Sequence, residues 1–207
     1  MKKQLRLSGS GGQGVITAAI LLAEAAVAEG KEAAQSQSYG PEARGGASKA
    51  EVIISDEIIY HPHVETPDLV LAMTQKAADK YYSDLHNDGL LILDDSLVPQ
   101  TPDFPHVVRL PITKLAVEEL GKALFANIVA LGALVRITGL VQLDTVKDFV
   151  KKRVPPHTVE ANMKALQLGW DAAADVMAVF TFESSSASYL ATNLDSELLL
   201  MLPSRDP

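Results

Sequence analysis

The residues best equipped for chemistry lie in the run Gly9-Ser10-Gly11-Gly12-Gln13-Gly14, between the apolar strand residues Leu5 and Leu7 and an apolar helix beginning at Val15. Strand, glycine loop and helix in that order form an anion cradle. Glycine lets backbone come close to a ligand, and the first N–H groups of the helix point back into the loop with the positive end of its dipole. Gly9, Gly11, Gly12, Gln13 and Gly14 are therefore candidate contacts for a phosphate or carboxylate. A second candidate is Arg44, which with Gly45 and Gly46 closes the polar, turn-rich segment that starts at Ser36. Small neighbours leave its guanidinium unobstructed for bidentate contact.

Two motifs compete for the loop, beside the plain reading that its glycines only make a tight turn. As G-x-G-x-x-G, Gly9, Gly11 and Gly14 fit a dinucleotide-binding turn. The acidic residue wanted about 20 positions later has only Glu32 as a candidate, and Gln35 to Ser38 hold the better place, which weakens a nicotinamide or flavin site. As a P-loop the run has Val15 and Ile16 where Lys and Ser/Thr belong, which argues against nucleotide hydrolysis.

Those candidates need a scaffold, and 207 residues with 47% hydrophobic content suffice for one good core. A net charge of -8 argues against nucleic acid or an anionic membrane as partner. There is no cysteine, so cysteine-ligated iron–sulfur clusters, thiolate zinc sites and cysteine nucleophiles are excluded within the chain. Lys2, Lys3 and Arg6 ahead of Val15 to Ala23 only faintly imitate a secretory signal, and the run Ala123 to Val135 is too short to span a bilayer. The default is a cytoplasmic protein.

The pattern along the chain predicts an α/β fold: a mostly parallel Rossmann-like sheet with an edge β-hairpin, helices on both faces and a helical C-terminal half. The first helix ends at Gly30 and a strand follows near Glu32 to Ser36. The hairpin is expected from Ser48 to Ile54 and Ile58 to Tyr60, turning at Ser55-Asp56-Glu57. Strands are expected at Asp68 to Met73, Leu90 to Leu93 and Val107 to Leu110, and helices at Thr74 to Leu85, Thr113 to Leu120, Ala123 to Ile137 and Asp144 to Arg153. From Thr158 an apolar stripe through Trp170 to Phe180 marks core packing, with a subunit contact at Trp170 as the alternative. Asn127 reads as a buried hydrogen-bonding residue. His61-Pro62-His63 lacks a third metal ligand, and one of Asp94 and Asp95 is expected to cap a turn. Residues 1–180 should form one domain and 181–207 a tail, whose Leu198-Leu199-Leu200-Met201-Leu202 must dock on its own domain or on a partner.

Three stretches make a family resemblance. Arg6 to Val15, Gln37 to Ser48 and Glu51 to Asp56, in that order and spacing, closely resemble the gamma subunit of the 2-oxoacid:ferredoxin (flavodoxin) oxidoreductases, most of all the 2-oxoglutarate type. The likeness runs from Met1 to about Trp170 and includes Asn127. It implies a multisubunit enzyme that converts a 2-oxoacid and coenzyme A to acyl-CoA and carbon dioxide. Thiamine diphosphate, magnesium and iron–sulfur clusters would sit in partner subunits, alpha and beta and in some cases delta, and ferredoxin or flavodoxin would take the electrons. This chain would hold no cofactor alone and supply no catalytic residue. It would contribute to the coenzyme A side of the reaction, be inert in isolation, and self-associate when made without its partners. The alternatives are a free-standing dinucleotide-dependent dehydrogenase and a purely structural assembly subunit.

Overall fold

The computed structural model describes residues 1–38 and 46–175. The chain runs β1 (Lys2–Ser10), α1 (Val15–Ala28), β2 (Glu32–Gln37), β3 (Ala47–Ser55), β4 (Leu69–Ala72), α2 (Gln75–Tyr81), β5 (Leu90–Asp94) and β6 (Val107–Leu110). It continues with α3 (Ile112–Leu120), α4 (Ala126–Thr138), α5 (Leu143–Arg153) and α6 (159–175). The six strands form one sheet in the order β2-β3-β1-β4-β5-β6. Only β3 is antiparallel to its neighbours, so five of the six strands run the same way.

Strand alternation sends Leu5, Leu7, Ala50, Val52, Ile54, Leu69 and Leu71 to one face, where they share a core with α1, α3, α4, α5 and α6. Val70, Ala72, Leu91 and Leu93 point the other way, against Ala77, Ala78 and Tyr81 of α2. Helices thus cover both faces, as the pattern predicts.

The edge hairpin is present but built from other strands than expected. Its arms are β2 and β3, and Ile58 to Tyr60 form no strand. The physical reason is that β3 has both edges taken, by β1 and β2, so a strand after the Ser55 turn would find nothing to pair with. Asp56 closes that turn by donating its N–H to Met1 O at 3.0 Å, and Ile58 and Tyr60 are left exposed. The expected helix from Thr74 is shorter too. Thr74 is its N-cap, its hydroxyl accepting from Ala77 N at 3.3 Å, and after Tyr81 the chain tightens into a 3₁₀ turn over Tyr82–Asp84. Likewise Ala123–Phe125 form a 3₁₀ turn ahead of α4.

Three local devices hold these layers. Arg6, 3% exposed, donates to Glu51 Oε1 at 2.8 Å, pairs with Asp84 and lies over the Tyr81 ring, while Lys49 reaches the same Glu51 oxygen. At the end of α1, Glu29 accepts from the Gln142 N–H at 2.7 Å, which ties that end to the start of α5. Partial burial works to raise the Glu29 pKa, but the hydrogen bonds from Gln142, Thr145 and Lys31 outweigh it and the pKa is lowered. Where α4 meets α6, a Cβ on Gly132 would lie 2.0 Å from Leu166 O and one on Gly169 1.8 Å from Val129 O, so the two backbones touch.

Candidate functional site

The loop between β1 and α1 is held from three directions. The Gln13 N–H donates to Ser10 O at 3.2 Å, and its side-chain Oε1 accepts from Ser10 N at 2.7 Å. Gln13 Nε2 then donates to Met73 O at 3.4 Å, which ties the loop to the carboxyl end of β4. From the third side Asn127 Nδ2 donates to Gly14 O at 3.3 Å. Gly14 is the N-cap of α1 at φ 78°, and a Cβ there would meet the Asn127 amide at 2.5 Å. Only glycine satisfies both conditions.

The consequence is that two helix starts converge. Asn127 sits in the first turn of α4, so the amino ends of α1 and α4 meet at Gly14. Neither end has a side-chain cap or an acidic residue in its first turn, so neither helix offsets its own dipole with a carboxylate there.

Beside the loop lies an open hollow of about 360 Å³ lined by Ser10, Gly11, Gly12, Gly14, Val15, Ile16, Thr17, Ser38 and Ser48. Four hydroxyl-bearing residues and the glycine loop line it, the Ser48 hydroxyl donating to Gly9 O at 3.4 Å, and no charged side chain is among these described residues. Ser38 and Ser48 stand at the two ends of the segment that carries Arg44. The structure therefore brings Gly11, Gly12 and Gly14 to one hollow and roots the Arg44 segment at its rim. Arg44 and Gly45 lie outside the described residues, whereas Gly46 is half-buried just before β3. Gly9 and Gln13 serve the loop itself: a Cβ on Gly9 would lie 2.4 Å from Gln13 Oε1.

The hydroxyls were not legible as site residues. Their one signal is placement, since Ser38 and Ser48 bracket the arginine segment and Thr17 follows the loop by one helical step. Asn127 is half-buried and hydrogen-bonded, as its type in an apolar helix suggests, but its partner in the glycine loop is 113 residues away and leaves no local trace.

The other candidates resolve into support. Buried Asp94 accepts from Ser96 N at 3.1 Å and Thr113 N at 3.2 Å, capping its own turn and the start of α3. Asp95 pairs with Arg109. His61 and His63 are exposed, and no group of three metal-ligating side chains occurs among the described residues. Trp170 lies under the Arg136 guanidinium, 4.8 Å from its ring centroid, so at least one face packs within the chain. The tail from 181 lies outside the described residues.

Known proteins resemble this chain over most of its length. The chain is 44% identical to the 2-oxoglutarate synthase subunit KorC of Methanocaldococcus jannaschii, across 85% of this chain and 96% of that one. The crystal structure of the keto/oxoacid ferredoxin oxidoreductase gamma subunit from Geobacter sulfurreducens matches with a TM-score of 0.79 at 44% identity, covering 85% of this chain and 98% of that one. The pyruvate oxidoreductase subunit PORC of Thermotoga maritima follows at TM-score 0.69 and 30% identity, with 83% and 96% covered. The family model described as pyruvate ferredoxin/flavodoxin oxidoreductase matches residues 4–172, and the chain belongs to that family.

Proposed function

We propose that this chain is the gamma subunit of a 2-oxoglutarate:ferredoxin oxidoreductase, in which it contributes to coenzyme A binding and to assembly. The observation that carries the reading is the 44% identity over almost the whole length of a 2-oxoglutarate synthase subunit, against 30% for a pyruvate oxidoreductase subunit. The reaction joins a 2-oxoacid and coenzyme A into acyl-CoA and carbon dioxide while ferredoxin or flavodoxin is reduced. Thiamine diphosphate supplies the carbanion stabilisation, with magnesium and iron–sulfur clusters alongside it in alpha, beta and, where present, delta subunits. This chain has no cysteine to ligate a cluster. The complex works in the cytoplasm, beside its electron acceptor. Among the described residues no helix is long and apolar enough to cross a membrane.

The role of this chain lies at the hollow. Oriented N–H groups at the start of α1 and the hydroxyls of Ser10, Thr17, Ser38 and Ser48 suit a phosphate of coenzyme A, and Arg44 brings the positive charge that the described lining lacks. Gly9, Gln13 and Asn127 hold the loop in shape, and Gly45 and Gly46 leave the arginine room. Residues 1–180 act as one domain, with 181–207 an appendage.

The test is Arg44→Ala in the reconstituted complex. Loss of one charge-assisted contact, about 1.5 to 3 kcal/mol, raises the apparent KM for coenzyme A roughly tenfold to a hundredfold and leaves assembly and the 2-oxoacid KM unchanged. Dissociation of the complex with coenzyme A kinetics intact would make Arg44 an interface residue. In a panel of 2-oxoacids the same complex reduces ferredoxin fastest with 2-oxoglutarate, and a preference for pyruvate would refute that substrate.

A further inference from the structure

The glycine loop stands at a crevice in the sheet that the proposed function leaves unused. Strand order places β1 beside β4, and the chain leaves the two in opposite directions: α1 carries it to β2 across one face, and α2 carries it to β5 across the other. In open α/β sheets the crevice beyond two such strands is where ligands bind. Here it falls between Ser10 at the end of β1 and Met73 just past β4, whose N–H donates to Ser8 O at 2.9 Å.

That crevice is already filled. The half-buried Gln13 side chain crosses it, accepting from Ser10 N at 2.7 Å through Oε1 and donating to Met73 O at 3.4 Å through Nε2. Gly9 lies against it, since a Cβ there would stand 2.4 Å from Gln13 Oε1 and 3.3 Å from Met73 Cβ. The first glycine of the motif thus makes room for the chain's own carboxamide. The other half of a dinucleotide site is displaced as well. An acidic residue for the ribose belongs at the carboxyl end of the second strand, beside the first. In this sheet β3 is inserted between β1 and β2, and Glu32 pairs with Ser55, which faces Lys2 at the far end of β1.

We propose that Gln13 is a specificity-determining residue, which occupies the crevice in place of a ligand's phosphate and confines anions to the other side of the loop. Its Oε1 takes the hydrogen bond that a phosphate oxygen would take from Ser10 N, and its volume closes the way from β1 to β4. What stays open is the hollow, lined by the loop, the first turn of α1, Ser38 and Ser48. A terminal phosphate reaches that side, whereas a diphosphate laid across β1 and β4, as a dinucleotide requires, does not. The exclusion stands on the geometry of the loop, and only the use of the hollow rests on the proposed function.

The test follows two backbone amides by NMR while the full-length, isotope-labelled chain is titrated with inorganic pyrophosphate. Thr74 reports on the crevice, because its peptide group carries Met73 O, and Gly12 reports on the hollow. In the wild type the Thr74 resonance does not move. Gln13→Ala empties the crevice and frees Ser10 N, so pyrophosphate then shifts Thr74 and binds about tenfold more tightly, the worth of one charge-assisted hydrogen bond. Gln13→Met keeps the volume without either hydrogen bond, and Thr74 again stays still. A response of Thr74 in the wild type, silence in Gln13→Ala, or an equal response in Gln13→Met overturns the proposal. A Gly12 resonance unmoved in all three proteins counts against the hollow as an anion site and leaves the exclusion standing. Circular dichroism verifies that each variant is folded. Should Gln13→Ala unfold, hydrogen exchange of the wild type decides: Ser10 N–H, held by Gln13, is expected to be roughly two- to tenfold more protected than Gly12 N–H, each against its random-coil rate. Equal protection overturns the proposal.

Discussion

Gly169→Ala in α6 sets two effects of opposite sign against each other. Helix propensity alone favours alanine by about 1 kcal/mol in a helix interior. Against this, the added Cβ would lie 1.8 Å from Val129 O where ordinary contact begins at 3.4 Å, so α6 must draw back from α4 by about 1.6 Å. The obstacle is backbone in the middle of a helix, with no rotamer by which to step aside. The strain therefore belongs at the upper end of the overpacking range, about 3 kcal/mol, and the withdrawal also loosens Leu166 and Ala173 from the core. The net effect is a loss of about 2 kcal/mol or more. In urea, with a slope of about 2 kcal/mol per molar, the unfolding midpoint falls by about 1 M. Gly132→Ala acts on the same crossing, 2.0 Å from Leu166 O, so the double variant costs less than the sum of the two singles. A midpoint that rises for either single variant would show that propensity governs and that the helices are not in backbone contact.

Arg6→Met removes the cation that Glu51 and Asp84 share; because Glu51 keeps Lys49, the expected loss is about 3 kcal/mol, and a change below about 1 kcal/mol by urea denaturation would show that the buried pair was of little consequence. Asn127→Leu takes away the donor to Gly14 O and costs about 1 kcal/mol of stability; in the assembled complex it also raises the KM for coenzyme A without moving that for the 2-oxoacid, and unaltered coenzyme A kinetics would separate the α4 start from the site. For Glu29 the folded-state pKa lies below the usual 4.5, so its contribution is complete above that value and is lost as pH falls through the lowered one. Glu29→Gln should therefore lower the urea midpoint at neutral pH and flatten its decline below pH 4.5, and a midpoint deficit that persists undiminished in acid would contradict the sign.

What could be read in the sequence was local. Strand β6 spans Val107–Leu110 as its β-branched run and bounds indicate, and Gly30 stops α1 in a left-handed conformation because glycine alone bears little cost there. The glycine loop announces itself because strand, glycines and helix are consecutive. The misplaced hairpin has a non-local cause. Ile58 to Tyr60 have the right residue types for a strand, and only the insertion of β3 between β1 and β2 denies them a partner. Gly132 and Gly169 read as ordinary breaks in helical propensity, and their purpose lies in each other's helix. The hydroxyls around the hollow share this character, since Ser38 and Ser48 become neighbours of Thr17 only when β2 and β3 pair beside α1.

The composition of the hollow also sets how the isolated chain must behave. An exposed helix start contributes about 0.3 to 1 kcal/mol to anion binding, and a neutral hydrogen bond about 0.5 to 1.5 kcal/mol. One helix start with two hydroxyls from among Ser10, Thr17, Ser38 and Ser48 thus supplies at most about 4 kcal/mol, which corresponds to a dissociation constant no tighter than about 1 mM. On the proposed reading Arg44 would add one charge-assisted contact, about 1.5 to 3 kcal/mol, and carry that ceiling to roughly 10 to 100 μM. Tighter binding needs surface that the chain does not own, because the hollow is open to solvent, where water competes for each donor. Calorimetric titration of the isolated chain with coenzyme A should accordingly find an affinity no better than tens of micromolar, weakened further by salt. If partner surface closes the hollow in the assembled oxidoreductase, as the proposed role requires, the complex should bind more tightly. Submicromolar binding by the isolated chain would mean that it holds a complete coenzyme A site of its own, and that the division of labour argued for the subunits is wrong.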